Sequence, residues 1–203
     1  IEKFQSITGI DERKYVSGEV KSSDLAAIAA KKAIKDSNIN QETLDYIIVA
    51  HNFGDISCNS SQIDTLPSLS SRVKTILKIK NPKCVAYDLI CGCPGWVEGV
   101  IQAKSFIKSG MANKCLVIGS DTLSRVTDDN DRDSMIYADG SGAIILESND
   151  SDDSGILSHN SATYTFEGEN EFIYYGSSYN PKLSKDSNQK YIKMQGRKVY
   201  EFA

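Results

Sequence analysis

The stretch Ala86-Tyr-Asp-Leu-Ile-Cys-Gly-Cys-Pro-Gly-Trp96 decides the fold of this chain. Residues 84–91 are nearly all apolar or aromatic, as a strand covered on both faces of a sheet requires. Gly92 breaks the run, and Pro94 suits a first helical position, where its missing N–H costs nothing and its fixed φ is already helical. Trp96, Val97, Val100, Ile101 and Ile107 then approximate an apolar helical stripe, which Gly110 ends. Cys93 is therefore expected at the N-cap. Free amides and the positive end of the helix dipole favour thiolate there, which makes a nucleophile.

The bare pattern leaves two other readings open. Cys93 also suits a small buried hydrophobe, the commoner fate of a free cysteine. A metal site is the weaker alternative: Cys91 and Cys93 form a single C-x-C pair, and the histidines are only His51 and His159. That falls short of structural zinc spacings, so no metal is expected.

Working outward, residues 44–50, 115–119 and 143–146 read as further strands. Ser22, Ser23 and Asp24 offer caps to a helix carrying Leu25, Ile28, Ala29 and Ala33 on one side and ending near Asn38. Pro67 opens another, with Leu69, Val73, Ile76 and Leu77 at helical spacing. Strands alternating with helices imply an α/β class, parallel pairing and helices on both faces of the sheet. The helix after Cys93 has so little polar surface that a central, buried place is expected for it. From 148 to 193 the texture changes to a loop-rich insertion, polar at 149–154 and 182–188, with short strand pieces at 156–157 and 164–166. Asp139-Gly-Ser-Gly142 lacks the lysine of a phosphate-binding loop and precedes a strand, so a tight turn is expected there.

Composition narrows the partners. At 203 residues the chain is long enough for one large domain with a substantial core. A net charge of −4 without a long basic cluster argues against nucleic acid. No apolar run reaches membrane-spanning length. Five cysteines without framework spacing suit a reducing cytoplasm. The chain starts at Ile1 without a methionine and stops at Ala203 inside an amphipathic pattern, so it reads as a piece of a longer protein.

Five segments, in order and spacing, carry a resemblance. Thr8-Gly-Ile-Asp-Glu-Arg13, Gly92-Cys-Pro-Gly-Trp96, Lys114-Cys-Leu-Val-Ile-Gly-Ser-Asp121, Asp131-Arg132 with Tyr137-Ala-Asp-Gly-Ser-Gly-Ala-Ile-Ile-Leu146, and Met194-Gln-Gly-Arg-Lys-Val-Tyr200 resemble the 3-oxoacyl-(acyl-carrier-protein) synthase III family of the thiolase superfamily. The resemblance implies a thiolase-like layered α/β fold. Its elements are a mostly parallel five-stranded sheet and a buried nucleophile helix. Residues 1–203 would be the N-terminal half of that duplicated fold, without its first strand.

It further implies an acyl-condensing enzyme. Cys93 would take an acyl group from acyl-CoA, and decarboxylated malonyl-acyl carrier protein would attack it, starting fatty-acid synthesis with no covalently bound cofactor. Thr8, Arg132, Met194, Gly196 and Tyr200 match positions lining the CoA or pantetheine tunnel. Leu66 matches the residue that family dimers insert into the partner's acyl pocket, and Tyr137 a bulky residue near the tunnel. The family's catalytic histidine and asparagine belong to the other half, which leaves His51 and His159 structural roles and the 203 residues alone inactive. A homodimer is expected, its sheet continuing through the strand that starts at Cys115. Two departures point to an unusual primer: the flank of Cys93 is Gly-Cys-Pro where Ala-Cys-Ala is usual, and the adenine-stacking tryptophan would fall near Lys3. The alternatives are a related cysteine-dependent acyltransferase of secondary metabolism and a non-catalytic binding or dimerisation half.

Overall fold

Tyr46–His51 (β1), Val85–Ile90 (β2), Lys114–Thr122 (β3) and Asp139–Glu147 (β4) form one sheet in the order β2-β1-β3-β4. The computed structural model describes residues 3–60, 62–149, 155–177 and 190–203. β1 runs parallel to both β2 and β3, whereas β4 returns antiparallel along β3. The described sheet thus has four strands where the full half-fold was expected to have five. The reversal of β4 has a local cause. Residues 123–138 contain only two short 3-10 turns, Leu123–Arg125 and Arg132–Ile136, and no crossover helix to carry the chain back to a parallel start.

Side chains of β1 alternate between two cores, as the two-residue period of a strand demands. Ile47 and Val49 face the helices Ser22–Ser37 (α2) and Leu69–Ile76 (α3), sharing a cluster with Ala26, Leu69, Val73 and Leu116. Ile48 faces the helix Gly95–Lys108 (α4), with Ala103, Cys115 and Val117. Ile47, Ile48 and Val49 are all fully buried, because neighbouring strands and helices enclose β1 on every side. β2 has no such cover. It is the edge strand, with Val85 46% and Ile90 66% exposed, rather than the doubly covered strand its composition suggested. β3 lies between β1 and β4 with Cys115 fully buried, so it cannot be the strand through which a sheet continues into a second copy.

The helix ends show how local chemistry sets boundaries. In α2 the Asp24 carboxylate accepts the Lys21 amide at 3.0 Å, and Asn38 closes the helix at φ 53°. Ser22 and Ser23, expected as caps, are instead helical and buried. Ser22 Oγ donates to Ser120 Oγ at 3.1 Å. Ser23 donates to Asp55 twice, through its amide at 2.8 Å and its hydroxyl at 2.6 Å. Asp55 also receives Arg72 Nη1 at 2.7 Å, and its backbone bridges Asp64, so one carboxylate joins α2, the loop after β1 and α3.

After β4 the expected strand pieces at 156–157 and 164–166 do not form: Leu157 is 91% and Phe166 98% exposed. The strands are instead Ile173–Ser177 (β5) and Lys190–Met194 (β6), paired antiparallel, followed by the helix Gly196–Phe202 (α5). Alternation decides this, since Tyr175, Ile192 and Met194 reach one small core that 156–166 never meets. Of the two polar runs, 150–154 and all of 182–188 lie outside the described residues. A short helix, Phe4–Thr8 (α1), precedes the sheet.

Candidate active site

At the end of β2 the chain turns through Gly92, whose φ of 61° is left-handed and suits glycine. The Gly95 amide donates back to the Gly92 carbonyl at 3.1 Å, closing a turn with Cys93 and Pro94 at its corners. Pro94, not Cys93, occupies the N-cap of α4, and the Pro94 carbonyl accepts the Glu98 amide at 3.1 Å. Cys93 thus stands one residue before the cap, exposed, at the mouth of the helix. The four-residue turn displaces it, because the helix starts only once that turn has closed.

Two glycines seat this helix. A Cβ at Gly99 would lie 2.9 Å from Val117 Cγ1 and 3.4 Å from Ile48 Cγ2, and one at Gly95 would lie 3.2 Å from Ala50 Cβ. With Ala103 they form the buried line of α4, while Trp96, Val100, Phe106 and Ile107 pack around it. Val97, expected in the apolar stripe, is 49% exposed. Small residues, rather than the bulky ones, bring the helix axis close to β1 and β3, and so fix the height of Cys93 over the sheet ends.

The strand ends around the turn are tied by carboxylates. The Asn52 amide and Nδ2 donate to Asp121 at 3.0 and 2.7 Å, joining the ends of β1 and β3 beside Gly92. Burial raises the Asp121 carboxyl above its ordinary value against the pull of those bonds. His51 Nε2 lies 3.0 Å from Asp88 Oδ2, and His51 Nδ1 accepts the Gly54 amide at 3.0 Å. With both ring nitrogens engaged and its side chain fully buried, His51 is a structural residue. His159 is exposed. No hydrogen bond among the described residues joins either histidine to Cys93. Asp88 and Asp121, which organise this region, went unnoticed in the sequence because a carboxylate within or ending a strand has no motif.

Of the remaining cysteines, Cys84 and Cys115 are buried, and burial pushes the Cys115 thiol up to about 12. Cys91 is exposed beside Cys93. Among the described residues no three His, Cys, Asp or Glu side chains gather into a metal-holding group.

Tyr137 forms part of a third apolar cluster with Ile56, Val126 and Ile192, against which Phe53 and Met194 pack. Burial and then the charge of Cys93, Asp131 and Asp133 push its phenol up to about 12. The site residues suggested by resemblance are distributed as follows. Met194 and Gly196 lie beside the turn that carries Arg132: a Cβ at Gly196 would meet Met194 Cε at 3.5 Å and Asp133 Oδ2 at 3.6 Å. Arg132 has its side chain 80% exposed and, among the described residues, bonds only to Asp133, at 3.2 Å. The Thr8 hydroxyl donates to the Phe4 carbonyl at 2.7 Å and finishes α1. Tyr200 projects from α5, 85% exposed, and Leu66 stands 84% exposed at the end of the loop after β1. No hydrogen bond among the described residues joins Thr8, Tyr200 or Leu66 to the Cys93 turn.

A mixed sheet between α2 and α3 on one face and α4 on the other, with a cysteine turn at the sheet's end, defines the thiolase-like α/β class. A family model described as 3-oxoacyl-[acyl-carrier-protein (ACP)] synthase III matches residues 87–165. A beta-ketoacyl-[acyl-carrier-protein] synthase III of Streptococcus gordonii is 35% identical over 203 residues, covering 100% of this chain and 59% of the relative. Crystal structures of the 3-oxoacyl-[acyl-carrier-protein] synthase III from Aquifex aeolicus and the beta-ketoacyl counterpart from Thermus thermophilus superpose with TM-scores of 0.77 and 0.73, at 32% and 27% identity. Each spans 100% of this chain, which in turn covers 58% and 59% of theirs. Along its whole length the chain is similar to these 3-oxoacyl-(acyl-carrier-protein) synthase III proteins, and it spans under two thirds of their length.

Proposed function

We propose that the whole protein is an acyl-condensing enzyme and that Cys93 is its acyl acceptor. The observation that carries this reading is the delivery of an exposed thiol by the Gly92 turn to the mouth of α4. In the first stage the sulfur attacks the carbonyl of an acyl-CoA thioester. The bond to the CoA sulfur breaks, and the proton from Cys93 leaves with CoA as its free thiol. In the second, malonyl-acyl carrier protein loses carbon dioxide and its carbanion attacks the acyl carbonyl. The Cys93–acyl bond breaks, giving a 3-oxoacyl thioester and the regenerated thiolate. Amides at the helix start, including that of Cys93, suit the oxyanion of both tetrahedral intermediates.

Arg132, Met194 and Gly196 are proposed to hold the CoA or pantetheine arm, with Thr8 and Tyr200 on its outer part. Their grouping around the turn at 132–136 supports the inner three. Arg132, exposed and held by one neighbouring carboxylate, is free to exchange it for a phosphate. Leu66 and Tyr137 are assigned to the acyl pocket, Leu66 from a second copy. The homodimer is proposed to continue the sheet through the open edge of β2 rather than through β3. Five free thiols fit a reducing cytoplasm.

Incubating the full-length protein with a panel of acyl-CoAs, followed by intact mass and peptide mapping, tests the assignment. A single acyl group on Cys93 is expected. Its appearance on Cys58, Cys84, Cys91 or Cys115, or full condensing activity in Cys93→Ala, overturns it.

A further inference from the structure

Tyr137 carries a polar atom that the fold leaves without a partner. Its side chain is only 9% exposed, and its hydroxyl makes no hydrogen bond among the described residues. The surroundings are apolar: Ile56, Val126 and Ile192 enclose the ring, with Met194 beside them. A phenylalanine would fill this space without burying an unpaired hydroxyl, which is costly wherever water cannot reach it. Among the neighbouring charges that bear on that hydroxyl, the one at Cys93 acts most strongly.

We propose that the Tyr137 hydroxyl selects the acyl group carried by Cys93, donating a hydrogen bond to a neutral oxygen on the primer chain. The site then takes an oxygen-bearing acyl group, of the 3-hydroxyacyl kind, in preference to a plain alkyl chain of the same length. The phenol stays protonated across the working pH range because it is buried, so it remains a donor. Asp131 and Asp133 place negative charge near the same hydroxyl, which disfavours a carboxylate on the primer and leaves a neutral oxygen as the fitting partner. A pocket that pairs a substrate hydroxyl discriminates against the analogue lacking it, because its own polar group is then left unpaired.

This inference rests on Cys93 as acyl acceptor, and the test separates the two. The full-length protein is incubated with butyryl-CoA and with 3-hydroxybutyryl-CoA, and the rate of Cys93 acylation is followed by intact mass. The wild type is expected to react about tenfold faster with the hydroxylated primer, and Tyr137→Phe to bring the ratio close to one. A wild type that reacts equally well or better with butyryl-CoA overturns the selection while sustaining the acyl-acceptor reading. So does a Tyr137→Phe protein that keeps the wild-type ratio. Cys93 acylated by neither primer overturns both. If Tyr137→Phe does not fold, the wild-type ratio decides alone.

Discussion

His51 Nε2 donates to Asp88 Oδ2 across 3.0 Å, one strand over, and the proton between them belongs to the histidine because its Nδ1 is occupied as acceptor by the Gly54 amide. Asp88 also accepts the first two amides of α3, Leu69 N at 2.7 Å and Ser70 N at 2.8 Å. One carboxylate in β2 therefore caps a helix and fixes a buried ring. Burial pushes its carboxyl up, but the His51 bond and the α3 amides hold it below its ordinary value of 3.8.

Asp88→Ala is expected to cost about 2–4 kcal/mol, combining a lost helix cap with an unpaired buried histidine. A carboxyl held low stabilises the fold above its ordinary value and gives that up as pH falls through the folded value. Urea unfolding should show the gap between wild type and Asp88→Asn narrowing below about pH 4. A gap that stays constant to pH 2 would refute this.

Gly99→Ala places a methyl group 2.9 Å from Cγ1 of the fully buried Val117. Overpacking of this kind costs about 1–3 kcal/mol and should raise α4 off the sheet, slowing acylation of Cys93. Val117→Ala in the same protein should recover part of the loss in thermal unfolding. Strictly additive losses would contradict the contact.

Alkylation at pH 8 should divide the cysteines by burial. Iodoacetamide is expected to mark Cys93 and Cys91, both exposed, and to spare Cys84 and Cys115, whose thiols burial pushes upward. Peptide mapping reads the result directly, and labelling of Cys115 in the folded protein would be the contrary outcome.

Lys193 on β6 reaches back to Asp128 at 2.8 Å and Asp131 at 2.9 Å, its side chain 7% exposed. Lys193→Met leaves those carboxylates buried without their cation, a loss of about 3–5 kcal/mol. Limited proteolysis should then cut within 123–138 or at the β5–β6 hairpin well before the sheet. Unchanged cleavage would show that the hairpin is held by its apolar contacts alone.

Much of this was legible in the amino-acid order, and the exceptions share a cause. Runs such as Ile47-Ile-Val49, the Gly92 break and the Asn38 stop act over a few residues, so pattern reveals them. The antiparallel return of β4 follows from a missing crossover helix, which only the whole connection discloses. Cys93 was found, yet its place before the cap depended on a turn closed by Gly95. Asp88, Asp121 and the close seat of Gly99 are long-range: each acquires its role from residues between 18 and 69 positions away. The β5–β6 hairpin was missed because its strands are separated by residues whose composition gives no register.

The bonds converging on Asp55 make the Ser23 amide a reporter. That amide, inside the first turn of α2, is held by a carboxylate that Arg72 of α3 also holds. Its solvent hydrogen can exchange only when helix, loop and second helix part company, so it should exchange at the slow rate of a cooperative opening instead of the fast rate of a fraying helix end. A single resonance would thus follow the breathing of three segments whose mutual fit holds the β1 face closed.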